Sequence, residues 1–135
     1  SDKINQEVKF REKWRPFCPS ILEEFAKEIL GSTHPAPFMT TSFIINSKWR
    51  NKIPEVVHVD NSARPQVVTR QNNSKFYKLI ECFYQKTGLP VLLNTSLNRK
   101  GEPIVCTPAD AVEMFYGCGL EYLIIGDFLI SKQKV

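Results

Sequence analysis

A layered α/β domain (α+β in detail), with helices packed on a mixed sheet, is predicted by three features of this sequence. Helical and strand patterns alternate along it, the connections between them are short, and no internal repeat interrupts them. The chain has 135 residues, the size of one compact domain, and no linker divides it, so 1–135 is read as a single domain. Hydrophobic residues make up 42% and charged residues 24%, which supplies a core and excludes wholesale disorder.

The elements follow in order. Asp2 can cap a short helix that carries Ile4 and Val8 on one face. Pro16 and Pro19 then favour extended backbone. Ser20-Ile21-Leu22-Glu23 reads as a capping box that starts a helix over 21–30, with Leu22, Phe25, Ala26 and Ile29 as its stripe and Gly31 as its stop. Residues 38–46 are β-branched and apolar, a strand pattern, and 47–54 form a loop with one helical turn. Residues 56–60 are short and alternating, and 65–70 form a strand centred on Val67 and Val68. Asn73 or Ser74 caps a helix with the stripe Phe76, Leu79, Ile80 and Phe83, which ends near Gly88. Residues 90–94 form a short buried strand with a polar exit. Thr107-Pro108-Ala109-Asp110 starts a helix whose face is Ala111, Met114 and Phe115. Residues 122–130 make the last strand, with a bulge expected at Gly126.

Several classes of protein are excluded at this point. The longest apolar runs, Phe43-Ile44-Ile45 and Leu123-Ile124-Ile125, fall far short of the roughly 20 residues of a membrane span. Residues 1–12 carry no apolar signal region. Cys18, Cys82, Cys106 and Cys118 form no Cys-x-x-Cys pair, and only His34 and His58 could complete a zinc site, so no metal site is expected. Unpaired cysteines among apolar or small neighbours suit a reducing cytoplasm. The net charge of +4, from 18 basic and 14 acidic residues, is too mild for a nucleic-acid tail but allows cations gathered at one anionic ligand.

Three clusters could carry chemistry. In extended backbone Lys9, Arg11, Lys13 and Arg15 alternate onto one face, a row able to follow a polyphosphate; a solvated, charged strand edge has the same pattern. The segment Leu93-Asn94-Thr95-Ser96-Leu97-Asn98-Arg99-Lys100-Gly101 leaves the end of a strand, where α/β domains bind ligands. It lacks Walker spacing, and a hydrogen-bonded turn is the competing possibility. His58 and Asp60 share a face if extended, which acid–base work or a simple turn would both explain, and Arg64 follows between that turn and an apolar strand. Phe76, Phe83 and Phe115 read as core, and Trp49 as surface packing over a loop rather than a base-stacking platform.

Together these clusters resemble the C-terminal, YrdC-like domain of NodU-type O-carbamoyltransferases. The matching stretches are Lys9-x-Arg11-Glu12-x-Trp14-Arg15-Pro16-Phe17-x-Pro19-Ser20, Pro37-Phe38-Met39, His58-Val59-Asp60-x-x-Ala63-Arg64-x-Gln66, Thr87-Gly88-x-Pro90-Val91-Leu92-Leu93-Asn94-Thr95-Ser96-x-Asn98, Gly101-Glu102-Pro103-Ile104-Val105-Cys106-Thr107-Pro108-x-Asp110-Ala111 and Gly126-Asp127. They occur in family order over nearly the whole chain.

The resemblance implies a twisted mixed sheet, binding of ATP (with Mg2+) and carbamoyl phosphate, and formation of carbamoyl-adenylate. A metal-binding transfer domain, in cis or in trans, then passes the carbamoyl group to a hydroxyl. Lys9, Arg15, Arg64 and Ser96 correspond to the catalytic, anion-handling residues, and Arg11, Asn94 and Asn98 to substrate-binding ones. No metal site of the domain's own is implied, nor any membrane association. The family's domain begins earlier, with a glycine- and arginine-containing segment not found here, so the resemblance covers a partial domain, incomplete on its N-terminal side. An exposed apolar face is therefore expected, able to support a homodimer. Weak nucleotide binding, or activity only with a partner chain, is expected rather than complete carbamoyl transfer. The alternatives are a non-catalytic nucleotide- or carbamoyl-phosphate-binding remnant and, ranked last, an RNA-binding YrdC-like module.

Overall fold

The computed structural model describes residues 2–10, 12 and 14–132. It has mixed α and β content and a mixed sheet. The chain forms two compact units, Pro16–Thr95 and Ser1–Arg15 with Ser96–Val135, and crosses between them after Arg15 and after Thr95. Among the described residues no helix is long and apolar enough to cross a membrane.

The unit of residues 16–95 is built on a three-stranded sheet of order β4-β1-β5: β1 Cys18–Leu22, β4 Gln66–Val68 and β5 Val91–Asn94. The central β1 runs parallel to β4 and antiparallel to β5. This strand takes the place of the expected helix start. Ser20 is fully buried, its hydroxyl bonds across the sheet to Gln66, and Leu22, which has no capping side chain, precedes helix α1 Glu23–Leu30. Pro19 lies one residue ahead of the β4 register, where no ladder bond to that neighbour is asked of it. Gly31 ends α1 in the left-handed conformation, as the sequence predicts.

Residues 38–46 do not form one strand. Met39 has a positive φ within a turn, and only Phe43–Ile44 (β2) is extended, pairing with Ser62–Ala63 (β3). Between them come the helical turn α2 Ser47–Arg50 and a 3-10 turn, Pro54–Val56. Helix α3 spans Ser74–Thr87, capped by Asn73, whose Oδ1 accepts from the Phe76 N–H at 3.1 Å, and stopped at Gly88. Its buried face is Tyr77 and Ile80 over Leu22 and Val68; Phe76 and Tyr84 pack against them, Phe83 is half-buried, and Leu79 points to solvent. Tyr77 replaces Leu79 because its hydroxyl reaches the Glu24 carboxylate while its ring stays inside.

In the other unit the expected N-terminal helix is a π-helix, Ile4–Lys9, closed by the Phe10 N–H donating to the Asn5 carbonyl. Val8, with Ile4 beside it, packs against Met114 and Cys118. Helix α4, Pro108–Tyr116, has the expected capping box: Thr107 accepts from the Asp110 N–H, and Asp110 accepts from the Thr107 N–H. Ala111 and Phe115 meet Leu123. The last strand is in fact a hairpin, β6 Tyr122–Ile125 and β7 Phe128–Ser131, because Gly126 takes a positive φ and the chain reverses there. Leu123 and Ile130 face α4, while Tyr122, Ile124 and Leu129 are exposed on the other face of the hairpin. Of the cysteines only Cys118 is buried; Cys18 is half-buried, and Cys82 and Cys106 are exposed despite their apolar or small sequence neighbours.

Candidate functional site

Lys9 and Arg15 do not stand on one extended strand. Lys9 ends the π-helix, Phe10 turns left-handed, and the Arg15 N–H bends back to the Glu12 carbonyl at 3.2 Å. Arg11 and Lys13 lie outside the described residues. Lys9 is carried inward instead, because the π-helix buries its inner face, and is 4% exposed. Its ammonium donates to the Ser96 carbonyl (2.7 Å), the Asn98 carbonyl (2.7 Å) and Asn98 Oδ1 (2.6 Å), with Ser96 Oγ at 3.3 Å. Ser96 Oγ donates to Asn98 Oδ1 at 2.6 Å, and Asn98 Nδ2 donates to the Glu102 carbonyl at 2.8 Å. Lys9, Ser96 and Asn98 therefore come together as one cradle. Lys100 closes over the same stretch, its N–H on the Lys9 carbonyl and its ammonium on Glu12 at 2.6 Å. That bond holds the Glu12 carboxyl below its ordinary range.

Arg15 belongs to the same unit and is exposed, with no hydrogen bond or ion pair to its guanidinium among the described residues. Arg99, by contrast, is committed to Glu102 at 2.7 Å. Arg99 lines a groove of about 320 Å3 together with Glu102, Cys106, Asp110 and Glu113, so one guanidinium there faces three carboxylates. Three carboxylates make it a poor place for a polyphosphate.

The unit of residues 16–95 holds Arg64 and Asn94. Arg64 stands between β3 and β4, exposed, again with no partner for its guanidinium among the described residues. Asn94, half-buried at the end of β5, donates through Nδ2 to Ser20 Oγ (3.0 Å) and to Gln66 Oε1 (2.8 Å). Ser20 Oγ donates to the same Gln66 oxygen at 2.9 Å. The β1–β4 register sets Gln66 directly opposite Ser20. Ser20 and Gln66 were not among the expected site residues. Both stand in the matched stretches, but Ser20 carried a cap signature that hid its role.

His58 and Asp60 make a turn and no acid–base pair. The His58 N–H donates to the Ser62 carbonyl, the Asn61 N–H to the His58 carbonyl, and the Ser62 N–H to Asp60 Oδ1 at 2.9 Å. The bonds from Ser62 hold the Asp60 carboxyl below its ordinary range. Trp49 is buried rather than superficial, its Nε1 donating to Glu28 at 2.9 Å, so it offers no face for stacking a base. Among the described residues no group of three or more His, Cys, Asp or Glu is placed to hold a metal ion.

Comparison with known proteins bears on the whole chain. Residues 1–132 match the family described as Carbamoyltransferase C-terminus. Nodulation protein NolNO of Sinorhizobium fredii is 44% identical over 98% of the chain, nodulation protein NolO of Bradyrhizobium diazoefficiens 41% over 98%, and nodulation protein U of Rhizobium tropici 39% over 99%. The chain spans 20%, 25% and 23% of those proteins' lengths. By both measures the chain belongs to the carbamoyltransferase C-terminal family.

Proposed function

We propose that this chain binds carbamoyl phosphate and ATP and supplies the activation half of an O-carbamoyl transfer. The observation that carries this is that two arginines, Arg15 in one unit and Arg64 in the other, are exposed and make no guanidinium hydrogen bond or ion pair among the described residues, which leaves each available to anions. Arginine's planar fork suits phosphate oxygens, and developing phosphoryl charge is best met by fixed cations. Lys9 lends its charge from within its cradle and holds Ser96 and Asn98 in place, where Ser96 lies nearest the ligand on this proposal. Arg11 joins as a substrate-binding cation by its place in the motif.

The overall balance is carbamoyl phosphate, ATP and water to carbamoyl-adenylate, pyrophosphate and phosphate. Carbamoyl phosphate loses its phosphoryl group to water. A carbamate oxygen then forms a bond to the α-phosphorus of ATP as the α–β bond breaks and pyrophosphate leaves. Magnesium arrives with the nucleotide, held by phosphate oxygens and water. Transfer to a hydroxyl acceptor is assigned to a separate metal-binding domain, in cis or in trans. We place the chain in the cytoplasm, where its unpaired cysteines suit a reducing environment.

The test is exchange of labelled pyrophosphate into ATP, measured on the chain alone and mixed with the N-terminal part of a relative such as NolO. Exchange that depends on carbamoyl phosphate supports the proposal. Ligand binding without exchange in either mixture leaves a non-catalytic binding remnant and overturns the activation step.

A further inference from the structure

The groove beside α4 has no part in the proposed activation, and its lining describes an occupant. Ile104, Val105 and Met114 make it apolar, and Ile104 is 63% exposed. At its rim the carboxylates of Glu102, Asp110 and Glu113 face the one guanidinium of Arg99. Glu102 is taken by Arg99 and Asp110 by the cap of α4, so Glu113 is the carboxylate without a hydrogen bond or ion pair among the described residues. A groove of this kind fits a large apolar side chain carried next to a cation.

The chain itself presents that combination. Trp14 is 78% exposed and is followed by Arg15, whose guanidinium has no partner among the described residues. Both features also border one surface. The Lys100 N–H donates to the Lys9 carbonyl at 3.0 Å, its ammonium meets Glu12 at 2.6 Å, and the Arg15 N–H returns to the Glu12 carbonyl at 3.2 Å. The turn that carries Trp14 is thereby tied to residues 99–102, where Arg99 and Glu102 line the groove. A projection and a hole side by side are self-complementary about a two-fold axis, which closes at two copies.

We infer that two copies of this chain form a closed dimer in which Trp14 of each enters the groove of the other and Arg15 of each meets Glu113 of the other. A large aromatic brings roughly 150–250 Å2 to a contact. Two of them, with two arginines and the matching groove walls, reach the roughly 1,000 Å2 that a specific interface needs. The charges agree in sign, cation on the projection and carboxylate at the hole. An arginine engaged by a carboxylate does not hold a phosphate, so the dimer is the form free of nucleotide. It does not depend on the function proposed above.

Sedimentation of the intact chain, in buffer without phosphate or ATP, should show a monomer–dimer equilibrium in the micromolar range that weakens in high salt. Trp14→Ala should weaken it by about tenfold or more, the loss of a central aromatic anchor. Arg15→Glu and Glu113→Arg should each do the same, and the double variant should restore association, because the pair re-forms with its charges exchanged. Circular dichroism checks that each variant folds. Dilution should also shift tryptophan emission to the red as Trp14 is released to water, over a constant background from Trp49, which is buried with its Nε1 on Glu28. Trp14→Phe should remove that shift. A monomer at every concentration, species that grow beyond two copies, or a double variant that associates no better than the single ones overturns the inference.

Discussion

The Lys9 ammonium lies 2.6 Å from Asn98 Oδ1 and 2.7 Å from the carbonyl of the same residue, 89 positions away in the chain. One cation thus fixes both the backbone and the side chain of Asn98, and the Ser96 oxygens complete its surroundings. Lys9→Met keeps the stem's packing but strands those oxygens, so it should lower stability by about 2 kcal/mol in urea denaturation. An unchanged midpoint would mean that the cradle is not formed in solution.

Gly119 tests the approach of the π-helix to the turn after α4. Its N–H meets the Glu7 carbonyl at 2.6 Å, and a Cβ placed there would lie 2.5 Å from Glu7 Cβ and 3.1 Å from that carbonyl. The obstacle includes backbone, which cannot swing away. Gly119→Ala should cost about 1–3 kcal/mol. Gly117→Ala should cost less, because the nearest atom there, at 2.8 Å, is the flexible end of Arg99 and the Glu113 carbonyl lies at 3.2 Å.

The α4 cap gives a prediction about pH. The Thr107 N–H, then that of Cys106, hold the Asp110 carboxyl below its ordinary 3.8. A carboxyl lowered in the folded state stays ionised there after the unfolded chain has taken up its proton. Its contribution is therefore complete above the unfolded value and is lost as pH falls through the folded one. Asp60, bonded to Ser62, has the same sign; so do Glu12, bonded to Lys100, and Glu102, bonded to Arg99, from an ordinary 4.5. The urea midpoint should hold steady above pH 4.5 and fall below it, less steeply in Asp110→Asn. At neutral pH Thr107→Ala should cost about 1 kcal/mol. A midpoint independent of pH between 3 and 7 would contradict this.

What could be read from the sequence was local. Asn73 and Thr107-Pro108-Asp110 announce α3 and α4 because a cap is written within four residues. Strand β1 was hidden because Ser20 and Glu23 fit a helix start equally well, and only Gln66 and Asn94, distant in sequence, decide for a strand. The β6–β7 hairpin was read as one strand because a glycine inside an apolar run fits a bulge as well as a reversal. The candidate residues themselves came from matched motifs. Their pairing did not, since Lys9 meets Ser96 and Asn98 only across the fold. The turn at His58 is local as well, and its polar residues serve the backbone.

Calorimetric titration of the intact chain beside Arg64→Ala and Arg15→Ala tests most directly the proposed binding of carbamoyl phosphate and ATP by the exposed arginines. Losing charge-assisted bonds of about 1.5–3 kcal/mol should weaken binding by roughly tenfold to a hundredfold in each variant, with circular dichroism unchanged. Binding of both ligands as tight in the two variants as in the parent chain would contradict the assignment.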